Sequence, residues 1–382
     1  MKKKNYYLVL GNHLSFRGID DQVLVIETSF KKAKIDIKKT IEIKPNEINI
    51  VIEEFHKDFA EIIFDVKKKF PKTKIILFST EFLTGNAKNR INCFNFADIA
   101  IRLVLKNIFI FLIDCPVVQT KKNYLSFKIN RFLSLFLTYC FLMIGRNFNQ
   151  DLMFARREYW LFKLKDLFDA VIASSEPILN SYNSFIKGQK IYLPVFVDSR
   201  RLKLRLNEKT GIKKNIFFSG NLTFYRKKVI EFLNEPLLDK FRSYPLVFSK
   251  GEFNTINFYP EILSNFYPEI LSVINLSGNK DCFNEIPLYE IYIPQSKSWP
   301  YSSPNRSIFS FKHGCIPISY GYFDQHSIDQ LFLIQTKNPN DFYDLQKKDP
   351  NLIIRRMLSK IDHYNRSQLK ILKQFKIAFD SI

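Results

Sequence analysis

The chain has 382 residues, of which 46% are hydrophobic, and carries a formal net charge of +21. That length suits two domains of ordinary size, each able to bury its own core, and that apolar share excludes an intrinsically disordered chain. The charge favours phosphate, anionic lipid or acidic glycan as partners, an attraction that salt weakens; with 39 Phe and only 11 Gly, part of the basicity can equally reflect compositional bias.

The amino terminus, MKKKNYYLVLGNH, has a basic start, but its apolar run is too short for the core of a signal peptide and reads as a first strand, Tyr6–Leu10. The runs Ile48–Ile52, Lys74–Phe78 and Ala170–Ala173 continue the pattern, with helices expected over Lys57–Phe70 and Tyr159–Phe168. Buried parallel strands linked by helices are the simplest account of this alternation. Between Arg131 and Arg146 lies FLSLFLTYCFLMIG, an apolar run shorter than the about 20 residues needed to cross a bilayer. Lys121, Lys122, Lys128, Arg156 and Arg157 add positive charge around it, so it reads either as a helix dipping into an anionic membrane surface or as an internal helix.

Tyr192–Val197 is expected as the last strand of this set, after which SRRLKLRLNEKTGIKKN is polar, basic and aperiodic, the signature of an interdomain linker. A second alternating set begins at Ile216–Phe218, runs through Val229–Phe232, Leu246–Ser249, Tyr289–Ile293 and Ile316–Ser319, and closes near Phe332–Ile334. The expected organisation is therefore α/β: a Rossmann-like domain over 1–198, a linker over 199–215, a second Rossmann-like domain over 216–350 and a helical segment over 351–382. In the last segment Ile353, Met357, Ile361, Leu369, Leu372, Phe375 and Phe379 recur at near-helical spacing and should pack on one or both domains. The octapeptide NFYPEILS occurs twice in tandem, at 257–264 and 265–272; it is too short for a solenoid and reads as a tolerated duplication in a surface connection.

Five cysteines, Cys93, Cys115, Cys140, Cys282 and Cys315, lie far apart with no CxxC pair, the pattern of neither a zinc site nor a secreted disulfide framework; a reducing cytoplasm is the expectation. His56, His326 and His363 are scattered without ligand spacing, so no metal is expected.

The richest stretch is WPYSSPNRSIFSFKHGCIPISYGYF, residues 299–323. Ser302 or Ser303 can cap a helix that starts near Pro304, Ile308, Phe309 and Phe311 form its apolar stripe, and Gly314 supplies the stop. The free N–H groups at 303–306 favour an anion, and Arg306 adds a fork-shaped donor suited to phosphate.

Two Rossmann-like halves, a basic linker, a carboxyl-terminal helix and SSPNRSIFSFKHGCIPISYG together resemble the GT-B fold glycosyltransferases, in particular bacterial enzymes of the group 1 type. The stretch IFFSGNLTFYRKKVIEFL is similar to the first strand, glycine-bearing loop and helix of their nucleotide-sugar domain; VIASSEPILNSYNSF with KIYLPVFVD is similar to the close of their first domain. The resemblance implies that Gly220, Arg226, Lys227, Ser303, Asn305 and Arg306 surround the diphosphate of a nucleotide-sugar donor. It further implies a glycan or lipid-linked acceptor on the first domain. The donor is a substrate, so no cofactor is expected. The glutamate pair that many retaining members carry ahead of the glycine equivalent to Gly314 is missing, which leaves the stereochemical outcome open.

Such a transfer needs a base for the acceptor hydroxyl. His13, after the first strand in LGNHLSFRG, lies where open α/β sheets place ligands, and its alternative is a hydrogen-bonded loop histidine. Glu81, in FSTEF, is the rival, or else a helix cap or acceptor-orienting group; Glu176 in SSEP has a similar strand-end position, and His313, at a helix end where the dipole favours a cation, reads as structural. The expectation is a cytoplasmic enzyme peripheral at the inner face of a membrane, with no nucleic-acid partner. The competing readings are a noncatalytic membrane-surface scaffold and a basic nucleic-acid-binding protein, the latter without any finger, RNP-like or helix-turn-helix signature.

Overall fold

In the computed structural model, the described residues are 5–10, 20–53, 57–80, 159–182, 186–207, 216–218, 224–234, 247–250, 272–275, 288–294, 304–321 and 327–382, with residues 104, 140 and 212. Twelve described strands run in chain order: β1 Tyr6–Val9, β2 Ile37–Thr40, β3 Ile48–Ile52, β4 Lys74–Ser79, β5 Ala170–Ala173, β6 Gln189–Tyr192, β7 Ile216–Phe218, β8 Val247–Lys250, β9 Ser272–Asn275, β10 Tyr289–Tyr292, β11 Ile316–Tyr320 and β12 Gln335–Thr336. The described α-helices include α1 Asp20–Ala33, α2 Lys57–Lys69, α3 Glu176–Ser181, α4 Arg200–Arg205, α5 Phe224–Asn234, α6 Pro304–Lys312, α7 Pro339–Lys347 and α8 Pro350–Asp380.

The chain divides into two compact units. One comprises Met1–Ile19, Lys34–Tyr192 and Ala378–Ile382, the other Asp20–Ala33 and Leu193–Ile377. The sheet of the first unit has six strands in the order β2-β1-β3-β4-β5-β6, all paired in parallel. β3 and β5 are buried along their whole length and β4 everywhere but at Lys74, which is why INIVI, KIILFS and AVIA read as nearly continuous apolar runs. The one polar residue of β3, Asn49, is fully buried. Its Oδ1 accepts from the Lys44 amide at 2.7 Å and its Nδ2 donates to the Lys44 carbonyl at 2.9 Å, which fixes the turn before the strand.

At the opposite end of β5 from its exit, the Asp169 carboxylate receives Lys67 Nζ at 2.8 Å, Lys74 Nζ at 3.1 Å and the Ile75 amide at 2.8 Å. This single side chain ties α2, β4 and the start of β5 together.

The second unit holds six parallel strands in the order β12-β11-β10-β7-β8-β9. Numbered within the unit and read from the other edge, that order is 3-2-1-4-5-6, the doubly wound Rossmann arrangement. The first unit follows the related 2-1-3-4-5 order extended by one strand. Both sheets are thus of the expected α/β class.

Several elements differ from the expectation. The run Tyr192–Val197 is not the strand; β6 ends at Tyr192, and 193–199 runs on without a ladder. Leu193, Val195, Phe196 and Val197 are buried, and side chains of α8 hydrogen-bond the backbone of Val195 and Val197. Gln368 Oε1 accepts from the Val195 amide at 3.2 Å, and Asn365 grips both the amide and the carbonyl of Val197 at 2.9 Å.

This also corrects the buried register of α8. Ile353, Met357, Ile361, Phe375 and Phe379 are buried as expected, whereas Leu369 is 49% exposed, and Gln368 takes the inward place because its amide has work on the segment after β6. Phe375 meets Phe30 of α1 edge-on, with ring centroids 5.4 Å apart. The segment 199–215 opens with α4, where Leu202 and Arg205 are buried, and Val229–Phe232 lies within α5. The run between Arg131 and Arg146, Cys140 apart, and residues 257–271 of the tandem repeat lie outside the described residues. Among the described residues, no helix is long and apolar enough to cross a membrane.

Candidate functional site

In an open parallel sheet, ligands enter at the carboxyl ends of the strands, where the strand order reverses, because two neighbouring connections leave in opposite directions and open a crevice. In the second unit that switch point lies between β7 and β10, which pair through Tyr289 with Ile216 and Glu290 with Phe217. The connections leaving these two strands lead to α5 and α6, so both helices start at the carboxyl edge.

Arg226, in the first turn of α5, is only 3% exposed. Its Nε donates to the carbonyl of Ile293, just past β10, at 2.9 Å, and its guanidinium carbon stands 5.6 Å from the Phe218 ring at the end of β7. Arg226 therefore spans the switch point and holds the exits of β7 and β10 to one helix. Gly220 and Ser303 lie outside the described residues; Lys227 is within α5, and Asn305 and Arg306 are in the first turn of α6.

Helix α6 starts at Pro304, and the chain leaves it through Gly314 at φ 75°, a left-handed conformation that favours glycine. The amide of Gly314 closes on the Phe311 carbonyl at 2.9 Å.

A buried polar relay fixes this helix to β10. Ser310 Oγ donates to Glu290 Oε2 at 2.5 Å and lies 2.6 Å from Tyr292 Oη; since the serine proton points to the carboxylate, the tyrosine donates to the serine. Glu290, Tyr292 and Ser310 are each at most 5% exposed, so the orientation of the helix is set by desolvated hydrogen bonds as well as by Ile308 and Phe311. Behind it, burial pushes the Cys315 thiol up to about 12, Arg205 opposing and Glu290 adding to the shift, so the thiol stays protonated. At His313 burial first, then Lys312 and Arg201, pull the imidazole down to about 4, so it is neutral at pH 7 and the charge that a helix end favours does not form.

In the first unit the switch point lies between β1 and β3. The candidate bases His13 and Glu81 both lie outside the described residues. Glu176 is exposed at the start of the six-residue helix α3.

The group at this edge that hydrophobic patterning passed over is Glu53, the residue after β3, which is 7% exposed. Its Oε2 accepts from Ser79 Oγ at 2.8 Å and from the Thr80 amide at 3.0 Å, and its Oε1 accepts from Tyr182 Oη at 2.9 Å. One carboxylate thereby joins the exits of β3 and β4 to the end of α3. The signal was present in IVIEEF, where a fully apolar strand meets an acidic residue at its carboxyl end. Among the described residues, no group of three or more His, Cys, Asp and Glu is placed to hold a metal.

Two doubly wound parallel α/β units in one chain, with a long carboxyl-terminal helix, are the α/β organisation that the sequence led to expect. No protein-family model and no curated protein matches the sequence. Among solved structures, the chain is similar to a UDP-glucose:anthocyanidin 3-O-glucosyltransferase in complex with UDP, at 9% identity and a TM-score of 0.45 over 100% of both chains. It is also similar to a UDP-forming α,α-trehalose-phosphate synthase from Burkholderia xenovorans, at 10% identity and a TM-score of 0.48 over 94% of this chain and 77% of that one. At these identities the likeness concerns the fold alone.

Proposed function

We propose that the protein is a glycosyltransferase that moves a sugar from a nucleoside-diphosphate donor to a glycan or lipid-linked acceptor in surface polysaccharide synthesis. The observation that carries this reading is the switch point of the second unit, where Arg226 joins the exits of β7 and β10 and a buried relay orients α6. A helix starting at such an edge presents free N–H groups and a positive dipole end to an anion, and a departing nucleoside diphosphate is the anion that sugar transfer must stabilise. Arg306 and Ser303 would complete the diphosphate seat, with Asn305, Gly220 and Lys227 beside it. A base from the first unit, His13 or Glu81, would take the acceptor proton. The inner-face location of this reading rests on the basic flanks of the apolar run between Arg131 and Arg146.

Arg306→Ala tests the seat. Titration with whichever of UDP, GDP, ADP, TDP or CMP binds the wild type should show affinity lower by roughly tenfold to a hundredfold, the worth of one charge-assisted hydrogen bond, with an unchanged melting midpoint. Equal affinity in the folded variant would remove Arg306 from the site.

A further inference from the structure

The carboxyl-terminal helix carries a surface feature that neither the fold nor the proposed transfer reaction uses. Along α8 the outward row reads Leu352, Arg355, Arg356, Ser359, His363, Arg366, Lys370, Lys373 and Ile377, every member exposed and each three or four residues from another. From Leu352 to Ile377 the row spans about 38 Å at the helical rise. It contains no carboxylate. Asp362 lies beside it and is bridged to Arg366 at 2.6 Å, whereas Arg355, Arg356, Lys370 and Lys373 make no ion pair among the described residues. On its flank a recess of about 320 Å³ opens between the 3₁₀ turn Ser327–Leu331 and the helix, lined by Gln330, Ser359, Lys360, His363 and Tyr364. Lys360 is held below its usual range, first by burial and then by Arg356, so cations are gathered there without a compensating acid in the row.

Two apolar side chains mark the ends of the row, Leu352 at 68% exposure and Ile377 at 73%, and Leu369 at 49% stands beside its middle. Isolated exposed leucines are ordinary, but a one-sign cationic row with apolar ends is the composition that lies on lipid: the cations meet headgroup phosphates and the aliphatic groups sink between them. Nucleic acid would reward large aromatic side chains for stacking, and the row has no Phe, Tyr or Trp.

We infer that the exposed face of α8 is a docking surface for an anionic lipid bilayer, with headgroup phosphates lying along Arg355, Arg356, Lys370 and Lys373 and the flanking recess accepting one headgroup. The inference does not depend on the transferase reading, since vesicle binding and nucleotide binding are separate measurements.

The test is co-sedimentation of the full chain with vesicles of phosphatidylcholine alone or with about one third phosphatidylglycerol. The wild type should bind only the anionic vesicles. The triple variant Arg356→Gln, Lys370→Gln, Lys373→Gln should lose roughly a hundredfold in partitioning, from about one kcal/mol per cation at the surface. A control with the same change in net charge elsewhere, Lys68→Gln, Lys69→Gln, Lys187→Gln, should lose no more than about threefold. Leu352→Ser with Ile377→Ser, which changes no charge, should weaken binding about tenfold. Equal losses in the two triple variants would assign the binding to overall charge and overturn the proposal. So would vesicle binding that survives the α8 triple variant while binding to a short single-stranded oligonucleotide is lost.

Discussion

Glu53→Ala should destabilise the first unit by about 3 kcal/mol, because three buried donors lose their acceptor at once and a desolvated donor costs roughly 1–3 kcal/mol when its partner is removed. The donors are Ser79 Oγ, the Thr80 amide and Tyr182 Oη, and they come from the end of β4, the residue after it and the end of α3. Glu53→Gln keeps one carbonyl oxygen and should cost about half as much, and Tyr182→Phe, which removes a single bond, about 1 kcal/mol. The effect has a functional side in the proposed reaction. Thr80 directly precedes the candidate base Glu81, so loosening the Glu53 clamp releases the start of the segment that carries it. Denaturant titration of the three variants gives the order. A Glu53→Ala protein as stable as the wild type would show that the carboxylate is not what holds this edge.

Gly188→Ala should destabilise the same unit by about 3 kcal/mol or more, a fall of roughly 5–10 °C in its melting midpoint. A Cβ at this position would stand 2.4 Å from the Asp169 carbonyl oxygen and 2.9 Å from that of Phe168. Both are backbone atoms, so nothing can rotate away, and the turn into β6 must move. The displaced residue is also the electrostatic pin of the sheet. Burial alone would raise the Asp169 carboxyl, but the hydrogen bond from Lys67, the Ile75 amide and the charge of Lys67 outweigh it and hold the group below the usual carboxylate range.

A carboxyl lowered on folding contributes stability above its unfolded pKa and loses it as pH falls through the folded value. The wild type should therefore lose this contribution only in acid, below about pH 4 where an unfolded aspartate begins to protonate. Gly188→Ala, with the pin displaced, should show a shallower acid dependence as well as a lower midpoint at pH 7. Thermal melts of both proteins across that range decide it; an unshifted midpoint would mean that the turn has room the geometry denies.

Hydrophobic pattern carried the sheets well where strands are buried on both faces. Ile48–Ile52, Ala170–Ala173 and Ile216–Phe218 form strands with the bounds that their apolar runs imply. Capping chemistry did the same for α6, from Pro304 to the stop at Gly314. The pattern was silent at β2, IKKT, because an edge strand needs only one buried side and benefits from lysines that discourage further pairing.

It misled at Tyr192–Val197, where apolar side chains are buried but the backbone is hydrogen-bonded by Asn365 and Gln368, two polar residues that a hydrophobic stripe places on the outside. The same blindness applies to the site. Glu53, Glu290 and Ser310 are polar groups made tolerable inside only by partners far away in sequence, which no local spacing records. The helix end that makes His313 read as structural is legible in the sequence; the burial that keeps its imidazole neutral is not.

The central claim is that the second unit binds a nucleoside diphosphate at the carboxyl edge where β7 meets β10. The direct measurement is thermal stabilisation of the full chain by UDP, GDP, ADP, TDP and CMP, each against pyrophosphate at matched ionic strength. One nucleotide should raise the midpoint by a few degrees at roughly a hundred times its Kd, well beyond pyrophosphate. Shifts no larger than those with pyrophosphate, or none for any nucleotide, would contradict the claim.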